Sequence, residues 1–310
     1  MATLDRTPKT LGLNLLLLCL ASACIPDSGP PESTGTAFDP DFSVRDSAGV
    51  TILESAAPAW ANGQSWNLTP EPLLRIGVVD GPDEYILYRS SSPIRLEDGR
   101  NREAHDGSKE IRSYDSGGQF LMAWGGSGEG PGEFRSVAFI WRLGVDSLAV
   151  LDLRMFRISV FDLDGAFGRS FRIEESNGQL PFPSGIFSDG TILASVSKED
   201  TGDYSDVGFV RDRLHFRRYD AQGRLLEGLT TLPGWELYRG VRPDGTGYTL
   251  STRHSVKPWT VTADSSWYYG PGDAFEIQEW SQSGHLRRVL RLNRQRRPRA
   301  DAATVSLEVS

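Results

Sequence analysis

Four segments of this chain align with one another without a gap: IRSYDSGGQFLMAW (111–124), ISVFDLDGAFGRSF (158–171), FRRYDAQGRLLEGL (216–229) and IQEWSQSGHLRRVL (277–290). Each opens on Ile111, Ile158, Phe216 or Ile277, and the fourth position is aromatic: Tyr114, Phe161, Tyr219 and Trp280. Four residues later comes Gly118, Gly165, Gly223 or Gly284, and two further on an apolar anchor, Phe120, Phe167, Leu225 or Leu286. This spacing reads as a β-hairpin. A strand ends in an aromatic residue, and Asp or Ser opens a turn by accepting backbone N–H bonds. Glycine then takes the left-handed conformation that other residues resist, and a second strand leaves.

A further strand precedes most hairpins, started by its own turn: Asp146-Ser147 before LAVLD, Asp189-Gly190 before TILASV, Asp244-Gly245 before TGYTL. Apolar residues fall on both faces of these strands, which requires sheets packed on both sides. The aromatic-to-aromatic steps are 47, 58 and 61 residues. A propeller blade takes about 40–50, with the excess going into loops. The excess here is SKEDTGDYSD (197–206) and the stretch around HSVKPW (254–259). Repeated antiparallel sheets of this size stack radially, each burying its neighbour's face. The fold class is therefore all-β, a β-propeller of four-stranded antiparallel blades over residues 43–298. The 14 Phe, 9 Tyr and 8 Trp of a chain with 3 Met agree with it.

The phrase GGSGEGPGEF (125–134) followed by DSLAVLDLRMFRISVFDLDG (146–165) resembles NHL-type six-bladed β-propellers, in particular the secreted, often lipid-anchored ones of environmental bacteria. VRDSAGVTILESAAPAW (44–60) and LLRIGVVDGPDEYILYR (73–89) are similar to the same group. The resemblance implies that the Gly-Pro-Gly-Glu-Phe loop carries the chain between blades and that Asp152 and Arg157 are structural partners within one blade. Two departures stand out. Residues 99–110, GRNREAHDGSKE, are polar where the family has an apolar strand, so that blade is expected to be frayed or looped. The chain also stops about twenty residues after the fourth hairpin. With VTILES (50–55) and LLRIG (73–77) as further strands, about four to five blades of the six-bladed pattern are expected. That leaves a ring with a gap, or a shortened copy.

The first 23 residues read as an export signal: a basic start at Arg6 and Lys9, an apolar run from Leu11 to Leu20, and the small residues Ala21-Ser22-Ala23. Leu20-Ala21-Ser22-Ala23-Cys24 resembles a bacterial lipobox, which implies lipidation at Cys24; the alternative is ordinary cleavage after Ala23. Residues 24–42, rich in Pro, Ser, Gly and Thr, form either a flexible tether or an irregular lead-in, and 299–310 form a tail. The expected location is outside the cytoplasm, held by lipid to a bacterial membrane at its periplasmic or cell-surface face. Cys19 and Cys24 are the only cysteines, so the body holds no disulfide framework and no cysteine metal site.

A net charge of −8 excludes a nucleic-acid binder by composition. The seven arginines between Arg287 and Arg299 read as a solvated strand end and tail. The glycine run 125–132 contains neither G-x-G-x-x-G nor a following GK[ST], and no G-x-S-x-G occurs, so no catalytic or cofactor residues are assigned. His105, His215, His254 and His285 share no register relative to their hairpins and read as surface or strand residues. Asp162-Leu163-Asp164-Gly165 has part of a calcium-loop spacing but reads as a turn. Calcium remains open as a cofactor.

The function that follows is a membrane-tethered binding or scaffold module whose partner is an envelope protein or a glycan. Its surface would be a rim of loops containing the insertions at 197–206 and 254–272. Trp259, Trp267, Tyr268 and Tyr269 serve there either as recognition residues or as core. The alternative is a calcium-dependent propeller hydrolase or lyase.

Overall fold

The structure, a computed structural model, describes residues 42–56, 67–176, 178–197, 207–251 and 255–293. The signal segment, Cys24, the tether but for its last residue, His254 and the tail lie outside the described residues.

Among the described residues nineteen strands form four sheets. Blade 1 is β3 (Ser90–Arg95), β4 (Asn101–His105), β5 (Glu110–Tyr114) and β6 (Phe120–Gly125). Blade 2 is β7 (Val137–Leu143), β8 (Ser147–Asp152), β9 (Arg157–Asp162) and β10 (Phe167–Phe171). Blade 3 is β11 (Phe182–Ile186), β12 (Ile192–Ser197), β13 (Gly208–Tyr219) and β14 (Leu225–Val241), extended by β15 (Gly247–Leu250). Blade 4 is β16 (Trp259–Ala263), β17 (Ser266–Gly270), β18 (Glu276–Ser281) and β19 (Leu286–Leu292). Every pairing within a blade is antiparallel. The first strands pack in chain order, β3 on β7, β7 on β11 and β11 on β16, which is the arrangement of a propeller. No comparable packing joins β16 back to β3 among the described residues, so the blades form an arc.

All four hairpins close the same way. Gly118, Gly165, Gly223 and Gly284 have φ of +87°, +87°, +84° and +80°. Each glycine N–H donates to the carbonyl of the turn's opening residue, Asp115, Asp162, Asp220 or Ser281. The Oδ1 of each of the three aspartates accepts two further backbone N–H bonds, and the Ser281 Oγ accepts one from His285. The corners also carry the stacking. A Cβ on Gly165 would meet the Trp124 ring of blade 1, one on Gly223 the Phe171–Arg172 backbone and ring after blade 2, and one on Gly284 Leu229 of blade 3. These three corners thus seat on the outer edge of the preceding blade.

Between blades lie three apolar clusters. Ala104 and Ile111 meet Val137, Ile140, Leu148, Val150 and Phe161 between blades 1 and 2. Ala149, Leu151 and Ile158 meet Ile186, Ile192, Ala194 and Tyr219 between blades 2 and 3. Leu193 and Phe216 meet Trp267 and Tyr269 between blades 3 and 4. Alternate residues of β8 serve opposite clusters, which is why LAVL is apolar throughout. Each fully buried Leu, Ile or Phe contributes about 1.5–3 kcal/mol, so adjacent blades stabilise one another more than propensity stabilises any one of them.

The loop 126–136 carries the chain from β6 to β7, and two residues hold it. Asp152 is fully buried; its carboxylate accepts N–H bonds from Arg135 (2.6 Å), Ser136 (3.2 Å), Arg154 (3.0 Å) and Met155 (3.0 Å). Arg157 donates to the carbonyls of Glu129 (2.8 Å), Gly130 (3.1 Å) and Glu133 (2.6 Å). The two residues pair across β8 and β9 but bond to the loop rather than to each other.

Three expectations are corrected. The polar stretch 99–110 is neither frayed nor looped: its central part is β4, a buried inner strand. Arg102 is wholly buried, donates to Ser113 Oγ at 2.6 Å and to Leu163 O of blade 2 at 2.8 Å, and lies 5.6 Å over the Trp124 ring. Glu103 and His105 point to the opposite face with Arg112 and Tyr114. Residues 83–88 cover that face: Arg112 donates to Asp83 O at 2.8 Å, Tyr114 Oη to Glu84 O at 2.8 Å, and Tyr88 N to His105 Nε2 at 3.1 Å. Burial pushes the Glu103 carboxyl up and the His105 imidazolium down from their ordinary ranges. The strand forms despite its polarity because Ser113 and Leu163 O take Arg102, and residues 83–88 supply partners for Arg112 and His105.

Second, VTILES and LLRIG found no blade of their own. VTILES is β2 (Val50–Ser55), which with β1 (Phe42–Ser47) joins blade 4 by a parallel pairing to β19. LLRIG runs without strand partners, yet Leu74 and Ile76 seat Gly118 as Trp124 seats Gly165. Third, TGYTL contributes its last four residues as β15 on the edge of blade 3; the strand before the fourth hairpin is β17.

Candidate functional site

β13 and β14 are longer than their blade. β12 pairs only with Leu214–Tyr219 of β13. Beyond that point Gly208–Arg211 pair with Glu236–Arg239, and β15 pairs with Tyr238–Val241, making a three-stranded flap. The sequence dictates both its bend and its end. Pro233, which has no N–H, and Gly234, backed against the Asp212 carbonyl, sit at the register shift between Arg211 and Arg213. The tip is the corner motif again: Gly245, φ +85°, donates to Arg242 O at 2.9 Å, but a Cβ there would meet open space.

Strand alternation puts Phe209, Tyr238, Tyr248 and Leu250 on one side of the flap. Phe209 and Tyr238 rings lie 5.3 Å apart, Tyr238 and Tyr248 rings 6.5 Å apart, and the Arg242 guanidinium sits 5.2 Å from the Tyr248 ring. At the base, exposed Trp235 has the Lys257 ammonium 5.7 Å from its ring. Blade 4 loops lock this base: Glu236 N donates to Val256 O at 2.9 Å, Val256 N to Glu236 Oε2 at 3.0 Å, and Arg211 bonds the Asp273 carboxylate and the Pro271 carbonyl. Val256, Lys257, Pro271 and Asp273 therefore meet the base of the flap. Of the insertion at 197–206 only Ser197, the end of β12, is described; the rest lies outside the described residues.

Of the four aromatics singled out from 254–272, two are core. Trp267 and Tyr269 are fully buried on β17, with Trp267 Nε1 donating to Ser281 O at 3.0 Å and Tyr269 Oη to Pro233 O at 2.5 Å. Burial pushes the Tyr269 phenol up to about 12. Trp259 is exposed and Tyr268 half-buried. The residues that make the rim, Phe209, Trp235, Tyr238 and Tyr248, were not singled out. The signal for them was present: the hairpin steps of 58 and 61 residues exceed a plain blade around these positions.

The flap offers ring faces, arginine and lysine, which suits gripping planar or apolar groups and interleaved acids. Elsewhere, Asp162 accepts from Asp164 N and Ala166 N, and Asp164 pairs with Arg100 at 3.0 Å, so that loop is a turn and a blade contact. His105 is buried on β4, His215 on β13 bonds Thr231 of β14 at 2.8 Å, and His285 lies in the fourth corner. Among the described residues no three His, Cys, Asp or Glu side chains are placed to share a metal ion. A cleft of about 580 Å³ beside Phe156 is lined by Glu129, Arg154, Arg172 and Glu174, with Glu129 tied to Arg135 and Glu174 to Leu225 N.

No protein-family model matches the chain, and no curated protein matches it in sequence. Solved structures match in shape. A Bacteroides fragilis protein described as exported is 13% identical with a TM-score of 0.45, covering 71% of this chain and 55% of that one. BamB from Moraxella catarrhalis is 15% identical with a TM-score of 0.31, covering 65% and 64%. A streptogramin B lyase is 14% identical with a TM-score of 0.34, covering 70% and 72%. The chain spans about half the length of the Bacteroides fragilis protein.

Proposed function

We propose that this protein is an NHL-type propeller built on the six-bladed pattern, exported, lipid-anchored at Cys24, and acting outside the cytoplasm as a binding or scaffold module. The partner is an envelope protein or glycan. The observation that carries the binding role is the flap: Phe209, Trp235, Tyr238 and Tyr248 beside Arg242 and Lys257, standing off the blade on a base locked by Arg211. Trp, Tyr and Arg dominate interface energetics, and anchors of this kind are worth about 2 kcal/mol or more each. Export and anchoring rest on the N-terminal signal and Cys24. No observation among the described residues favours the calcium-dependent hydrolase or lyase.

The test is capture of envelope components on the full-length lipidated protein. Trp235→Ala with Tyr248→Ala is expected to cut capture at least tenfold while leaving the unfolding midpoint within a few degrees. Equal capture by the variant overturns the flap as the binding surface. Separately, Cys24→Ser is expected to abolish incorporation of labelled palmitate; undiminished labelling removes the anchor.

A further inference from the structure

Among the described residues no blade packs on the outward face of blade 4. Along its first row lie Trp259, Ile277, Leu290, Leu53 and Val44, extended by Phe275; along its second lie Val261 and Tyr268, then the Glu279–Arg288 ion pair at 3.2 Å. Six of the apolar side chains, Val44, Trp259, Val261, Phe275, Ile277 and Leu290, are between 38% and 55% exposed. The opposite face of the same sheet carries the buried Trp267, Tyr269, Ile52 and Val289 and packs on blade 3. Blade 4 is therefore apolar on both sides, whereas blade 1 ends the arc with Glu103, His105 and Arg112 sealed under residues 83–88.

The geometry points to a second copy of this chain as the occupant, docked by the same blade 4 face about a two-fold axis. Two features select it. The two charges on the face, Glu279 and Arg288, pair with each other at 3.2 Å, so a two-fold partner meets no net like charge. The area also suffices: with Leu53 and Tyr268 the exposed apolar surface is on the order of 600 Å² per copy, near the lower bound of about 1,200 Å² in total for a specific interface. Two sheets facing each other at about −30° are a standard packing. Tethering to one membrane would keep copies at high local concentration, which suits an interface at that lower bound. This surface lies on blade 4 and is separate from the flap, though membrane tethering is taken from the function proposed above.

The experiment is photo-crosslinking in the intact envelope. The full chain carries Val261→p-benzoyl-phenylalanine and is co-expressed in two differently tagged forms. The expected result is an adduct bearing both tags, with the crosslinked peptide from Trp259–Leu290 or Val44–Leu53 of the second copy, absent when the photoreactive residue replaces Val145 in the exposed β7–β8 turn. Leu290→Glu in the same background is expected to lower that adduct at least tenfold. A crosslink to residues 294–310 of the same chain, a crosslink to a different protein, or no crosslink at all each overturns the proposal. The Trp235→Ala, Tyr248→Ala variant is expected to retain the double-tagged adduct, so loss of flap binding and loss of self-association are read separately.

Discussion

The corner glycines make the stacking argument quantitative. Gly165→Ala asks two things of the fold. It puts a Cβ into a φ of +87°, and it drives that carbon against the Trp124 ring, whose nearest atom would lie at 2.8 Å. The first costs about 1–2 kcal/mol for a non-glycine residue in the left-handed region. The second is overpacking of a bulky ring held in the cluster between blades 1 and 2, on the order of 1–3 kcal/mol. Gly245→Ala provides the control. It has the same turn and nearly the same φ, +85°, with nothing within 4 Å of the added carbon. The expected losses are roughly 2–5 kcal/mol at Gly165 and 1–2 kcal/mol at Gly245, so the difference isolates the contact between blades. Urea unfolding followed by tryptophan fluorescence, with the slope m unchanged, measures it. Equal losses at the two glycines would mean that the corner does no more than turn the chain, and the seating of each blade on its predecessor would have to be abandoned.

Two further outcomes follow from buried polar groups. Asp152→Ala strips the acceptor from four backbone N–H groups, and unsatisfied buried donors cost about 1–3 kcal/mol each before water reaches them, so a loss of about 3 kcal/mol or more is expected in the same urea assay. A loss under 1 kcal/mol would show that the loop 126–136 is held by Arg157 alone. The phenols of Tyr114 and Tyr269 are pushed up by burial to about 12, above their ordinary value of 10.0. Below pH 10 both folded and unfolded chains keep these protons. Between 10 and 12 the unfolded chain releases them first, so stability falls as pH rises, by about 1–2 kcal/mol per residue. Tyr114→Phe with Tyr269→Phe is expected to flatten unfolding free energy against pH across that window; an unchanged slope refutes the assignment.

The repeat made the architecture legible before any coordinates. An aromatic, an Asp or Ser and a glycine at fixed spacing force a hairpin by local chemistry, and local chemistry is what a sequence displays. The same reasoning misread residues 99–110. Polarity argues for a loop only if the far side of the strand is apolar or open, and here His105 and Arg112 are satisfied by backbone carbonyls and N–H groups of residues 83–88 and by Ser108. VTILES reads as a strand and is one, but nothing within it says that its partner is β19, over two hundred residues away. The rim was half visible: the excess length announced an insertion, while the choice of Trp267 and Tyr269 as core and of Trp235, Tyr238 and Tyr248 as surface depended on which way each strand faces. Hairpins, their corners and the two-sided strands are thus consequences of residues near one another in the chain. Which blade ends the arc in polar groups, which ends it bare, and which aromatics meet solvent depend on long-range pairing, because register and neighbouring sheets, rather than residue type, decide the side a strand buries.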